Sequence, residues 1–314
     1  MRGTVPALDF FMAYWADSLT KREVEGTLAC VDLLKAVHWA APLLATTKGI
    51  VDKLLVGIVD RKAYAASPLL AAEKSLLFEI RVAAALATAG VDATYEHRAG
   101  VGDSTVDFLV RLEPRPWLVE LVSLHESVAV KAAAWSRVDE DESGAKIERF
   151  GFSLGLDNEE PKQTDEGETL KAQQRIGAKV FDSREKKPVK FPAPGAAVHM
   201  LLVDARGFLG GGLGDEADWR HLVYGASGLR PELVKLWKDP YTGKEAAIRG
   251  LFEAECPLPA AALVRERLHV IAFVCETDFA PNELRERMVM CCNPLLFESE
   301  ATARATIARW PIRR

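Results

Sequence analysis

KSLLFEIRVAAALATAGVDATYEHRAGVGDSTVDFLVRLEPRPWLVELVSLHES, residues 74–127, is the stretch from which the rest of the chain can be read. Its first part sets Leu76, Leu77, Ile80, Ala84 and Leu86 at near-helical spacing, with Gly90 just beyond. That pattern predicts an amphipathic helix over 74–89 closed by a glycine stop. A strand over 93–98 is expected next, then a Gly-Val-Gly-Asp turn at 100–103 and a β-branched strand over 105–110. A proline-marked loop at 113–116 leads to a third strand over 117–124.

Two acids interrupt these apolar strands: Asp107 inside TVDFLV and Glu120 inside WLVELVSL. A carboxylate in a buried strand is costly unless it is paired or binds a cation. Two of them on neighbouring strands would share that cost if a divalent cation lay between them. An all-oxygen site of this kind suits magnesium or manganese. Glu79, on the preceding helix, is a third candidate acid.

The order of a helix with Glu79, a strand, a strand with Asp107 and a strand with Glu120 resembles the PD-(D/E)-x-K nuclease superfamily. The resemblance implies an α/β chain with a restriction-endonuclease-like core, a mixed central sheet flanked by helices, over 71–205. A helical region over 1–70 and a C-terminal extension over 206–314, packed on the core, would flank it. By the same resemblance Asp107, Glu120 and the Leu121 carbonyl would hold magnesium or manganese, and Glu79 would assist a second ion. One position departs from the pattern. The family's lysine falls two residues after the strand glutamate, and here that residue is Val122. Alternate residues of a strand share a face, so an aliphatic group stands where the amine is expected.

A replacement is expected from 168–182, ETLKAQQRIGAKVFD, read as a helix. Lys171, Arg175 and Lys179 recur every four residues and would form one stripe, with Ala172, Ile176 and Val180 beside it. Lys179 is the first choice for the missing cation and Lys171 the second; the alternative is a solvated basic face. Arg184, Lys186, Lys187 and Lys190 follow as the densest cationic run in the chain. With Lys171 and Arg175, this run offers phosphate contacts, or else forms a solvated loop.

The 314 residues are 49% hydrophobic and 27% charged, an ordinary globular composition with length for a sizeable core. The net charge of −5 does not advertise nucleic-acid binding, so any such activity must rest on a local basic patch. Five cysteines lack paired zinc spacing, and the expectation is reduced thiols in a cytoplasmic protein, with Cys291 and Cys292 filling core. Asp9 and Asp17 sit among the first aromatics, so no secretory signal is expected. No apolar run is long enough to span a bilayer, so no membrane partner is expected.

Elsewhere, residues 1–70 carry helical periodicity. Residues 139–168 hold eleven acids against three bases and read as an exposed insertion, or as a flap over a basic groove. The apolar run over 196–204 reads as a strand covered on both faces, with His199 as a core histidine. The glycine-rich 208–215 reads as a loop, 246–254 and 268–275 as two more strands, 281–290 as a short helix, and the arginine-bearing tail over 304–314 as surface. His97 and His125 border the proposed site as weaker candidates for a general base. No nucleophile elbow, dinucleotide fingerprint or zinc-peptidase motif is present.

The resemblance implies metal-dependent hydrolysis of a phosphodiester, with DNA ahead of RNA as the partner and room for a homo-oligomer. The rival is a chain that keeps the nuclease fold without its chemistry and binds nucleic acid or a protein. Val122 and the acidic balance favour the rival; Asp107 and Glu120 oppose it. A third reading is a structural ion pair between these acids and Lys179 or Arg175.

Overall fold

The computed structural model describes residues 71–99, 101–125, 165–184, 186–207, 216–226, 236–238, 245–274 and 288–312. The expected N-terminal helical region, the 208–215 loop and most of the acidic insertion lie outside the described residues, and elements are numbered through the described ones. The first is α1 (Ala71–Thr88). It ends in a Schellman motif: Gly90 N–H reaches Ala87 O at 2.9 Å and Val91 N–H reaches Leu86 O at 3.1 Å. This geometry needs a left-handed residue, and Gly90 has φ +69°. Val91 and Leu86 then meet in the core.

Next come β1 (Ala93–Arg98), β2 (Thr105–Val110) and β3 (Trp117–His125). Each joins the next antiparallel. β3 is followed by α2 (Asp165–Ala178), the short β4 (Phe181–Asp182) and β5 (Lys187–Pro188), and β6 (Val198–Gly207). α2 thus starts inside the segment expected to be an insertion and stops before Lys179. Beyond it lie α3 (Glu216–Tyr224), β7 (Leu236–Lys238), β8 (Glu245–Ala247) and α4 (Ala261–Arg267). The chain closes with β9 (Val270–Val274), β10 (Met288–Cys292) and α5 (Glu300–Ile307).

The main sheet has six strands in the order β1-β2-β3-β6-β9-β10. β6 pairs parallel with both β3 and β9, while β10 returns antiparallel. Parallel neighbours need a crossover, and α2 lies in the first and α3 and α4 in the second. Strand alternation divides β6 between two cores. Val198, Met200 and Leu202 join Phe78, Val82 and Leu86 of α1 on one face, and Leu201, Val203 and Ala205 join Ala172 and Ile176 of α2 and Trp219 of α3 on the other. Coverage on both faces is why the 196–204 run lacks polar alternation. His199 is buried within it, its Nδ1 2.8 Å from Arg267 O, and its backbone N–H meets His269 Nδ1 at 3.1 Å.

The chain is therefore mixed α/β, a six-stranded mixed sheet between helices. Among the described residues no helix is long and apolar enough to cross a membrane. Three expectations change. Only Val270–Val274 of the two later runs extends the main sheet; β8 pairs with β7 in a separate ribbon, and turns follow it. Part of 281–290 is outside the described residues, and its end is strand, as β10. The tail is not merely surface. Arg304 and Arg309 are exposed, but Ile307, Trp310 and Ile312 are buried, and Trp310 lies 5.1 Å from Trp117 between ring centroids. The tail's arginines interleave with an apolar stripe that packs inward.

Candidate active site

β2 and β3 pair from Val110↔Trp117 to Phe108↔Val119, and the ladder stops before Asp107. Phe108 and Val110 pack in the α1-side core and Val106 in the α2-side core, so the alternation of β2 breaks at Asp107. With no backbone partner from β2 at this point, Leu121 N–H donates instead to Asp107 Oδ2 at 2.7 Å. The carboxylate thus sits where the two strands part, and it is half-buried.

Glu120 is wholly buried on the α2 side, between Leu118 and Val122 in the strand's alternation. Such a carboxylate needs counter-charge, and two ammonium groups supply it. Lys179 Nζ lies 2.8 Å and Lys190 Nζ 3.2 Å from the same oxygen, Glu120 Oε1. Oε2 is buried and has no hydrogen-bond partner among the described residues. Lys179 reaches this point because α2 tightens as it ends. Lys179 N–H bonds Ile176 O and Val180 N–H bonds Gly177 O, three-residue turns that sink Val180 into the core and leave Lys179 half-buried beside the strand.

Burial pushes the Asp107 carboxyl up to about 8, and the negative charges of Glu120 and Glu79 add to the shift. The Leu121 N–H and Lys179 pull the other way without overcoming it. For Lys179, burial alone would lower the pKa, but the charge and hydrogen bond of Glu120 outweigh it and the ammonium is held above its ordinary range. Glu79 is half-buried on α1 and accepts a hydrogen bond from Tyr95, whose phenol is pushed well up by burial and by that carboxylate.

The basic stripe of α2 does not converge as a unit. Lys171 is exposed and pairs with Glu168 at 2.9 Å within its own helix. Arg175 Nη1 is 3.5 Å from Ser123 O, the outer limit of a hydrogen bond. Lys186 and Lys187 are exposed on the β4–β5 ribbon. Val122 is buried in the core that α2 covers, so no amine comes from that position. His97 is half-buried near the end of β1, and His125 ends β3.

Lys190 is the site residue that sequence reading did not single out. It appeared only as the last member of a cationic run. Its position just before the buried Phe191 was a local signal, because a cation entering apolar structure needs a nearby anion. Nothing in the spacing named Glu120 as that anion.

Among the described residues no group of three or more His, Cys, Asp or Glu side chains is placed to hold a metal ion. Any ion here would rely on Asp107, Glu120 and backbone or water oxygen. Compared with family models, curated proteins and solved structures, the chain gives no match.

Proposed function

We propose that the protein is a metal-dependent phosphodiester hydrolase acting on nucleic acid, DNA ahead of RNA, with a PD-(D/E)-x-K-like site whose lysine comes from the end of α2. The observation that carries this reading is the Lys179 ammonium 2.8 Å from Glu120, beside Asp107 on the adjacent antiparallel strand. The order α1-β1-β2-β3-α2-β6, with β6 parallel to β3, supports a restriction-endonuclease-like core. Glu120 Oε2 is a buried oxygen without a hydrogen bond among the described residues, which suits a hard cation. Asp107, Glu120 and the Leu121 carbonyl would hold magnesium or manganese. When bound, such an ion supplies an activated water and stabilises charge developing on the phosphate.

The protein's own groups divide the remaining work. Asp107 must release its proton before it can serve as a ligand, since its carboxyl sits near 8. Lys179, held protonated by Glu120, acts as a donor to phosphate oxygen or to the attacking water rather than as a base. Glu79, fixed by Tyr95, adds negative charge behind Asp107. A second reading, a binding module without chemistry, draws on the pairing of Glu120 with two lysines, which already offset its charge.

The test is cleavage of single- and double-stranded DNA and RNA with magnesium, manganese or chelator, beside calorimetric titration of the ion. Asp107→Ala and Glu120→Ala should each abolish cleavage and weaken metal binding. Lys179→Ala should slow cleavage by about 10²-fold or more while metal still binds. Val122→Lys, which restores an amine at the family's position, should recover part of that loss. A wild type that binds nucleic acid or a protein, but neither binds metal nor cleaves, would establish the second reading instead.

A further inference from the structure

Lys190 occupies an unusual backbone. Its φ is +64°, in the left-handed region that a residue with a side chain rarely adopts. Phe191 N–H closes onto Val189 O at 2.7 Å around it, a three-residue turn whose left-handed form is strained. The surroundings hold this conformation from both sides. Val189 N–H is fixed to Val180 O at 2.9 Å, just past Lys179. Lys190 N–H donates to Ser104 Oγ at 3.2 Å, and the Ser104 hydroxyl donates onward to Val101 O at 2.6 Å. The β1–β2 turn and the segment leading into β6 are thus tied together at Lys190, and the tie aims its side chain at Glu120. Strain kept at one residue and supported by neighbours is a mark of a working position.

The charge arrangement says what the work is. One ammonium, from Lys179, already satisfies Glu120 Oε1 at 2.8 Å, and Lys190 brings a second to the same oxygen. An ammonium has more donors than one shared oxygen uses. The Lys190 side chain keeps 28% exposure, so it can turn donors towards solvent. Exposed Arg184, Lys186 and Lys187 precede it in the chain.

We propose that Lys190 is a phosphate-binding lysine, distinct in task from Lys179, that leaves Glu120 to grip a phosphodiester oxygen of the nucleic-acid strand entering the site. This rests on the phosphodiester reading above. When Glu120 shares its charge with an ion or a substrate arrives, Lys179 keeps its bond to Glu120 and donates to the attacking water, while Lys190 moves to the phosphate. Ser104 is a positioning residue that holds the Lys190 backbone.

The test is binding of a fluorescein-labelled DNA duplex, followed by anisotropy across a KCl series in Ca²⁺ and again in EDTA. Lys190→Gly removes the ammonium while suiting the left-handed backbone, and Lys179 still pairs with Glu120. It should weaken binding and flatten the slope of log affinity against log salt by about one, the signature of one lost phosphate contact. Lys190→Arg should retain the slope, and Ser104→Ala should weaken binding less than Lys190→Gly does. A structural role would leave the slope where it is. A wild type that binds duplex and metal, with an unchanged slope in Lys190→Gly, overturns the role of Lys190 alone. A wild type that binds duplex in neither buffer overturns it as well. Failure of metal binding and cleavage in the wild type separately removes the hydrolase reading.

Discussion

Asp107 is a carboxyl held by the fold in its less favourable ionisation state. It accepts one backbone hydrogen bond from Leu121, yet burial and two neighbouring acids push it up to about 8. An unfolded aspartate titrates near ~3.9. Between these values the folded state binds more protons than the unfolded state, so stability falls as pH rises. Asp107 therefore contributes a loss of stability that develops from about pH 4 to about 8 and then levels off. Asp107→Asn keeps an acceptor for Leu121 N–H and cannot ionise. Its melting temperature should exceed that of wild type at pH 8, and the gap should close towards pH 4 in thermal melts on a pH series. Parallel curves for the two proteins would show that Asp107 titrates normally. On the proposed metal-site reading the same proton must leave before a cation binds, so manganese affinity in the wild type should climb through that range.

α2 joins the site to the core. Its apolar residues Ala172 and Ile176 pack on the sheet while its end delivers Lys179. The approach is close at Gly177, where an added Cβ would stand 2.7 Å from Ala260 Cβ and 3.2 Å from Leu258 Cδ2. Neither backbone nor a short side chain can yield easily there, so the helix itself must shift. Gly177→Ala should cost roughly 1–3 kcal/mol by overpacking. The shift should also loosen the Lys179–Glu120 pair. Ala260→Gly in the same chain removes the opposing methyl group and should recover much of the loss. A double-mutant cycle in urea checks this, and additive effects of the two changes would show that the contact is not what limits α2.

At the scale of the whole molecule, three layers depend on both ends of the described chain. α1 opens one face and the segment after α5 closes it, with Trp310 tilted against Trp117 at the start of β3. Trp310→Ala should destabilise by about 3–5 kcal/mol, the usual cost of emptying a buried aromatic site. Arg309, exposed and donating to Glu113 O at 3.2 Å, should tolerate alanine within about 0.5 kcal/mol. Urea midpoints of the two variants make the comparison. Equal effects would mean that the tail packs no more firmly than a surface loop.

Local chemistry made much of the central unit legible. Apolar spacing and Gly90 marked α1, and β-branched runs between turns marked β1, β2 and β3, because these signals act over a few residues and survive any tertiary context. Asp107 and Glu120 stood out for the same reason, as charges in strands that burial penalises. The unbroken apolar run in β6 announced a doubly covered strand. Tertiary structure alone decided the rest. Which cation meets Glu120 depends on how a helix end and a strained turn fold back onto β3, and no local period encodes that return. Lys171, Arg175 and Lys179 share one stripe by spacing, with Lys179 the first choice, and the tightened end of α2 carries Lys179 to the carboxylate. Lys190 joins it from a left-handed backbone whose N–H meets Ser104 Oγ, from a segment far away in the chain. Sequence by itself determined where charge had to be buried; the packing of distant segments determined what neutralises it, because an ion pair forms between positions in space.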